Sequence, residues 1–124
     1  MKIICTICSR AKREDAELLP AEERYTATHI KTVKEIAQKD GVPFYILSGK
    51  YGLISSQTKI PYYDYYLENS AVDELSERVS KQIQEVGITE INFYGEEKDS
   101  WLPYKNALEK GVKSSGIILN NYIL

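Results

Sequence analysis

The chain has 124 residues, 43% of them hydrophobic, which suits one globular domain spanning residues 1–124. Its 16 basic and 18 acidic residues exclude a general electrostatic attraction to nucleic-acid phosphates or anionic membranes, so such binding would need a local patch. No apolar run reaches the roughly 18 residues that a membrane helix needs. The sequence therefore predicts a soluble, cytoplasmic protein with no membrane partner.

The first part of the chain has the pattern of two strands around one helix. Nearly continuous apolar runs over residues 2–8 and 42–47 predict buried strands. Residues 11–20 are charged and predict a loop. Over residues 21–40 the apolar positions recur at intervals of three and four, which predicts one amphipathic helix that ends before Gly41.

A long connection with many tyrosines follows the second strand. Residues 48–69 show no regular period, and their aromatic content predicts an ordered, functional loop rather than disorder. Ser70 and Asp73 resemble a capping box, which predicts the start of a helix that ends at Gly87.

The remainder of the chain predicts strand, helix and strand. Residues 88–94 are apolar and close at Gly95, and a third helix carries Trp101 and ends before Gly116. Residues 117–124 predict a last strand at a sheet edge. Because strands and helices alternate, the chain is expected to form an α/β three-layer sandwich, with a mostly parallel four-stranded sheet and helices on both faces.

Ligands of such sheets bind beyond the carboxyl ends of the strands. Three places meet this condition, namely residues 8–10, residues 48–52 and residues 94–96. The sequence therefore predicts a site at this edge of the sheet.

The segment from Ser48 to Gly52 combines two glycines with a lysine at a strand end. Bare backbone amides near Gly49 and Gly52 could approach an anion, with Lys50 supplying charge. The spacing matches neither a P-loop nor a dinucleotide fingerprint. A tight turn with an exposed lysine is the alternative interpretation.

Four tyrosines surround one acid in the sequence Tyr62-Tyr63-Asp64-Tyr65-Tyr66. Tyrosine supplies a flat face for a base or sugar and a hydroxyl for hydrogen bonding, and the acid could orient a ribose or act as a base. Packing of the loop onto the sheet is the alternative for most of these tyrosines.

Cys5 and Cys8 are the only cysteines, and His29 is the only histidine. A zinc site needs more ligands than these supply, and strand alternation points the two thiols to opposite sides. The sequence thus predicts no metal and no cofactor. His29 is expected to be a packed or surface residue more often than a catalyst.

Arg10, Lys12 and Arg13 form a small basic cluster just past the first strand. Such a cluster is either a solvated loop or a set of phosphate contacts.

Three motifs together resemble a known family. Cys8-Ser9 followed by basic residues, the run I-L-S-G-K-Y-G-L, and a Tyr-Asp pair with a leucine three residues on are similar to an uncharacterised bacterial and archaeal family, DUF6884-like, with C-S-x-x-K and L-S-A-K-Y-G-L…P-Y-D motifs. The chain departs from the pattern at Gly49, at Tyr66 and at Pro61, which falls one residue early. The positions that the resemblance marks are Cys8, Ser9, Ser48, Lys50, Tyr51, Gly52, Tyr63 and Asp64.

The resemblance extends more distantly to the peroxide-stress protein YaaA family, whose members are associated with DNA binding. It also extends in outline to uracil-DNA-glycosylase-like domains attached to tRNA base-modifying enzymes. Both links imply nucleotide or nucleic-acid chemistry. Neither supplies an established reaction.

Together, these observations predict a protein that binds a small-molecule nucleotide, a nucleoside or a nucleic-acid base. Action at an N-glycosidic bond stays open, and a non-catalytic DNA/RNA-binding or protein-interaction module is the alternative. The oligomeric state is not predicted. The predicted catalytic residues are Asp64 and Ser9, and the predicted ligand-binding residues are Cys8, Ser48, Gly49, Lys50, Tyr51, Gly52 and Tyr63.

Overall fold

The computed structural model describes residues 1–124 and contains seven strands and four α-helices. The strands are β1 (Lys2–Ile7), β2 (Leu19–Pro20), β3 (Phe44–Ser48), β4 (Gly52–Ser55), β5 (Lys59–Ile60), β6 (Glu90–Gly95) and β7 (Ile118–Ile123). The helices are α1 (Ala21–Arg24), α2 (Thr28–Asp40), α3 (Val72–Val86) and α4 (Leu102–Ser115), with short 3₁₀ turns at Asn69–Ala71 and Asp99–Trp101. None of the helices is long and apolar enough to cross a membrane.

The main sheet has five strands in the order β4-β3-β1-β6-β7. All neighbours are parallel except β3 and β4, which are antiparallel. The predicted sheet had four strands, and this count is corrected because Gly52–Ser55 forms β4 instead of part of an irregular connection. A tight turn after β3 folds the chain straight back, so that Leu53 pairs with Leu47 and becomes buried.

The sheet separates two apolar clusters, which confirms the three-layer α/β sandwich. Helix α2 packs on β1 and β3 on one face, and α3 and α4 pack against each other on the opposite face. Cys5 belongs to the cluster under α3 and α4, whereas Cys8 belongs to the cluster under α2. The two thiols therefore lie on opposite sides of the sheet, as strand alternation predicts.

The helix predicted over residues 21–40 is interrupted, and this prediction is corrected. Tyr25 has extended backbone angles and pairs with Lys12 in an isolated bridge, so α1 and α2 are separate. Arg24, at the end of α1, is completely buried. Its guanidinium donates to carbonyl oxygens of Arg13, Asp15, Ala16 and Ile60, and thereby holds the loop before α1 against β5.

Helix α3 begins later than predicted. Ser70 lies inside the 3₁₀ turn and α3 follows Ala71 without a side-chain cap, so the predicted capping box of Ser70 and Asp73 is wrong. The ends of α3 at Gly87 and α4 at Gly116 are as predicted. Strand β7 is the last strand and occupies one edge of the sheet, which confirms its predicted position.

Candidate functional site

A cleft of about 650 Å³ opens at the carboxyl edge of the sheet, where β1 and β6 end. Ser9 and Arg10 reach it directly after β1, and Glu96 and Lys98 reach it after β6. This volume falls within the usual range for small-molecule sites. Much of the remaining wall is aromatic and consists of Tyr66, Trp101 and Tyr104.

The strand order explains why the cleft lies here. From β1 the chain crosses to β3 on one side, and from β6 it crosses to β7 on the other side. Connections that leave in opposite directions open a crevice between β1 and β6, which is the usual ligand position in open α/β sheets. The sequence predicts a site at the ends of three strands, and the crevice lies at the ends of two of them, β1 and β6.

Two aromatic contacts shape the walls of the cleft. The guanidinium carbon of Arg10 lies 4.2 Å from the centre of the Tyr66 ring. Also on the wall, the rings of His29 and Trp101 meet edge to face with centroids 4.8 Å apart. Arg10 makes no ion pair with a carboxylate. Its guanidinium donors are therefore free to bind an anion in the cleft.

The orientation of His29 fixes its tautomer. Its Nε2 lies 2.8 Å from the carbonyl oxygen of Ile7, and because a carbonyl only accepts, this nitrogen carries the proton. In the neutral ring the other nitrogen, Nδ1, is then an acceptor. The sequence predicts a packed or surface residue at this position; in the structure His29 is half-buried, packs against Trp101 and lies on the wall of the cleft.

A second, smaller cavity of about 40 Å³ lies next to the cleft and shares Ser9, Arg10, Tyr66 and Tyr104 with it. A cavity of this size holds at most a few water molecules. Its other lining residues are Cys8, Lys12, Tyr63, Asp64 and Tyr65.

Below the small cavity, three buried hydroxyl groups form a chain. The hydroxyl of Tyr63 lies 2.5 Å from that of Tyr25 and 3.0 Å from that of Ser48. The Lys12 ammonium lies 4.6 Å from the centre of the Tyr63 ring. Burial raises the pKa of both tyrosines, so each hydroxyl keeps its proton at neutral pH.

Burial also governs the ionisable groups around Cys8. It raises the pKa of the Cys8 thiol, and hydrogen bonds from the Gly49 amide and the Tyr104 hydroxyl offset this only in part. It lowers the pKa of Lys12, which the nearby Cys8 and Asp64 groups counteract. A protonated thiol is a weak nucleophile. Cys8 is therefore suited to packing and hydrogen bonding rather than to nucleophilic attack.

The segment from Ser48 to Gly52 forms the turn between β3 and β4. The Ser48 hydroxyl accepts hydrogen bonds from the amides of Lys50 and Tyr51 at 3.1 and 3.0 Å. Gly52 has φ +78°, and the side chain of Gln82 accepts from the Leu53 amide and donates to the Tyr51 carbonyl. Two of the backbone amides in this turn are thus already bonded within the protein.

The turn also directs Lys50 away from the cleft. Lys50 lines a separate hollow of about 230 Å³, together with Arg78 and Glu74 on α3. Gly49 also lines this hollow. A Cβ added to Gly49 would lie 3.3 Å from Leu67 and 3.3 Å from Tyr104. Lys50 therefore does not line the cleft, and its ammonium lies 5.4 Å from the centre of the Tyr63 ring, which borders the small cavity.

The structure brings only part of the predicted site together. Cys8, Ser9, Tyr63 and Asp64 line the small cavity, and Ser9 also lines the cleft. The Ser9 hydroxyl donates to the carbonyl of Ala11 at 2.6 Å. The other predicted residues lie in the turn or beneath it and do not reach the cleft: Ser48, Gly49, Lys50, Tyr51 and Gly52.

Three aromatic residues of the cleft were missed as site residues, namely Tyr66, Trp101 and Tyr104, although the tyrosine segment contained Tyr66 and a signal for Trp101 existed. Trp101 is the single tryptophan of the chain and follows the end of β6 at Gly95, one of the three strand ends named as candidates. Tyr104 lies one helical turn further on and shares this wall. Both fit the apolar pattern of the third helix, and Trp101 is in fact buried in the core cluster while also lining the cleft, so the pattern alone indicated packing. No group of three or more His, Cys, Asp or Glu side chains is placed to hold a metal ion.

Comparison with known proteins identifies a family. Residues 3–114 match the family of unknown function DUF6884. The chain therefore belongs to this family, which confirms the family resemblance drawn from the motifs. No curated protein and no solved structure matches the chain.

Proposed function

We propose that this member of the DUF6884 family binds a nucleotide or nucleoside in the cleft between β1 and β6. The observation that carries this proposal is a cleft of about 650 Å³ at the point where the connections of the sheet diverge. Its walls combine aromatic faces with a few polar groups, the usual composition of a site for a small aromatic ligand.

Each wall suits a different part of a nucleotide. The base stacks against an aromatic face, for which Tyr66 is the most accessible side chain, 49% exposed. The phosphate binds Arg10, whose guanidinium is free of carboxylates. His29 Nδ1 accepts a hydrogen bond from a sugar hydroxyl or from an N–H of the base.

Tryptophan fluorescence tests this proposal directly, because Trp101 is the only tryptophan and lies on the cleft wall. Titration with nucleoside monophosphates and with the matching nucleosides should change the emission in a saturable way. Arg10→Gln should weaken the binding of the monophosphates at least fivefold and leave the nucleosides nearly unaffected. Lys50→Gln is the matched control, since Lys50 lies outside the cleft and its loss should change neither affinity.

Calorimetry with the same compounds tests whether any of them binds at all. If none of them binds at millimolar concentration, the proposal is wrong. If a short single-stranded oligonucleotide binds with strong salt dependence while every monomer fails, the alternative of a nucleic-acid-binding module replaces it.

We further propose that hydrolysis of the N-glycosidic bond takes place in this cleft. The observation that favours it is the small cavity, which Asp64 lines, which has room for water and which shares Ser9, Arg10, Tyr66 and Tyr104 with the cleft. In this reaction a water oxygen bonds to C1′ while the C1′–N bond breaks. Asp64 accepts a proton from the water, and the nucleobase leaves with the electron pair of the C1′–N bond and takes up a proton from solvent, to which Asp64 then returns its own.

Chromatographic detection of free base tests this step separately from binding. Asp64→Asn should abolish the release of base and leave the fluorescence titration unchanged. Release of nucleobase that persists in the variant would rule out Asp64 as the general base. Binding without release from any nucleoside or nucleotide would limit the function to binding.

A further inference from the structure

We propose that β7 pairs antiparallel with β7 of a second copy of this chain, so that two five-stranded sheets join into one of ten strands. Strand β7 bonds only to β6, and its other edge is open. Its apolar side chains are unusually exposed, with 57% of Ile118, 44% of Tyr122 and 69% of Ile123 accessible. An open edge strand with apolar side chains is a template for another strand.

The backbone groups along this open edge can be assigned. The amides of Ile118 and Leu124 donate to the carbonyls of Thr89, just before β6, and of Gly95, the last residue of β6. In a strand this direction alternates, so the amide and carbonyl of Leu119, Asn121 and Ile123 point away from β6. These three residues present a regular row of donors and acceptors to a partner strand.

Nothing along β7 opposes such pairing. Edge strands of natural proteins are usually protected by charged side chains, by proline or by a bulge. Residues 117–124 contain no charged side chain and no proline, and β7 pairs with β6 over six residues without a bulge. A second copy fits such a neutral edge, because two identical charged strands would repel each other.

The sequence of β7 is complementary to itself in one register. With Asn120 on a two-fold axis normal to the sheet, Leu119 and the partner's Asn121 exchange backbone hydrogen bonds. Ile118 then faces the partner's Tyr122 on the same side of the sheet. Aromatic and β-branched residues are favourable cross-strand pairs. The Tyr122 ring is already held in place, stacked on Tyr94 with centroids 4.8 Å apart.

This dimer leaves the proposed ligand site free. A two-fold axis normal to the sheet reverses the strand direction, so the carboxyl ends of the two parallel sets face opposite ways. The two clefts therefore open at opposite ends of the joined sheet, and neither is completed by the partner. Dimer formation is thus independent of the proposed function, and the failure of one does not affect the other.

The oligomeric state in solution provides the first test, by sedimentation or light scattering from micromolar to millimolar concentration. We expect a dimer. Asn121→Pro removes an outward amide but no hydrogen bond within the chain, so it should give a folded monomer. Asn121→Ala keeps that amide and is the matched control, which should remain a dimer. A monomer for the unmodified chain at every concentration would overturn the proposal, as would a dimer that tolerates the proline.

A charge pair tests the facing residues. Ile118→Lys alone should produce a monomer, and adding Tyr122→Glu in the same chain should restore the dimer, since each lysine then faces a partner glutamate. Both variants should retain the helical and strand signal of the folded chain. A dimer that persists in Ile118→Lys would contradict this contact.

Disulfide trapping tests the register. Residues directly opposite in a non-hydrogen-bonded antiparallel pair have Cα atoms about 4.5 Å apart, within the range of a disulfide. Asn120→Cys should therefore link two copies under mild oxidation, and Leu119→Cys, which faces the partner's Asn121, should not. The native thiols do not interfere, because both are buried. Efficient linkage through Leu119→Cys but not through Asn120→Cys would overturn the register.

Discussion

The hydroxyl of Ser48, at the end of β3, lies 3.0 Å from the hydroxyl of Tyr63 in the tyrosine segment. This contact joins the turn after β3 to the loop that borders the small cavity. Ser48 is fully buried, and its oxygen also accepts the amides of Lys50 and Tyr51. One side chain therefore fixes the shape of the turn and the position of a cavity wall.

We expect Ser48→Ala to destabilise the protein by about 1–3 kcal/mol. The amides of Lys50 and Tyr51 and the hydroxyl of Tyr63 would each lose a hydrogen-bond partner. Urea unfolding measures this change. Ser55→Ala is the matched control: Ser55 caps a turn by accepting the Gln57 amide at 3.3 Å, and its loss should cost less. Equal effects of the two substitutions would show that the Ser48 network contributes nothing special.

Gly52→Ala should destabilise the protein more than Gly41→Ala. Both glycines have positive φ, but only at Gly52 would the new Cβ meet another group, at 2.2 Å from Oε1 of Gln82. Gln82 cannot move aside without losing its two backbone hydrogen bonds. Conformational strain costs about 1–2 kcal/mol at either site, and lost hydrogen bonds add about 1 kcal/mol each at Gly52. Thermal or urea unfolding of both variants provides the comparison.

Tyr66→Ala should weaken nucleotide binding, whereas Tyr62→Ala should leave it unchanged. The two side chains are similarly exposed, at 49% and 44%, but only Tyr66 lines the cleft. Loss of a base-stacking partner costs about 1–3 kcal/mol, or roughly 5- to 150-fold in affinity. The fluorescence titration of Trp101 measures it. If both variants bind equally well, the base does not stack on Tyr66.

The free energy of unfolding should fall as the pH rises above the ordinary pKa values of cysteine and tyrosine. Burial raises the pKa values of Cys5, Cys8, Tyr25, Tyr63 and Tyr104, so these groups stay protonated when folded and ionise when unfolded. Their contribution is complete at lower pH and is lost as the pH increases through the folded values.

Urea unfolding from neutral pH to pH 11 should show this loss, with a slope that approaches about 1.4 kcal/mol per pH unit for each ionising group. Lys12 acts in the opposite direction, because its pKa is lowered by burial. Tyr25→Phe should reduce the slope of the free energy of unfolding against pH by up to the contribution of one ionising group. A slope unchanged by this substitution would show that Tyr25 ionises equally in both states.

Neither native thiol should react readily in the folded protein. Cys5 and Cys8 are buried, and burial raises the pKa of both. Labelling with a disulfide reagent should be slow until the chain unfolds. Thr58→Cys introduces an exposed thiol for comparison and should react at once. Fast labelling of the unmodified protein would contradict the buried position of both cysteines.

Local patterns predicted the strands and helices well, because apolar periodicity records whether each side chain is buried. The alternation around Cys5 and Cys8 placed the two thiols on opposite faces, and the structure agrees. The pattern failed where a long-range contact overrides local preference. Tyr25 interrupts the predicted helix because it pairs with Lys12, and nothing in the helical spacing signals that pairing.

By itself, the sequence determined the α/β class, the alternation of the four parallel strands with the main helices, the edge position of the last strand and the family. Only the tertiary structure decided that β6 lies next to β1 and that Arg10, His29 and Trp101 therefore surround one cleft, while Lys50 lies elsewhere. The physical reason is that periodicity reports burial residue by residue. Strand order depends on crossovers between distant segments, which leave no local pattern.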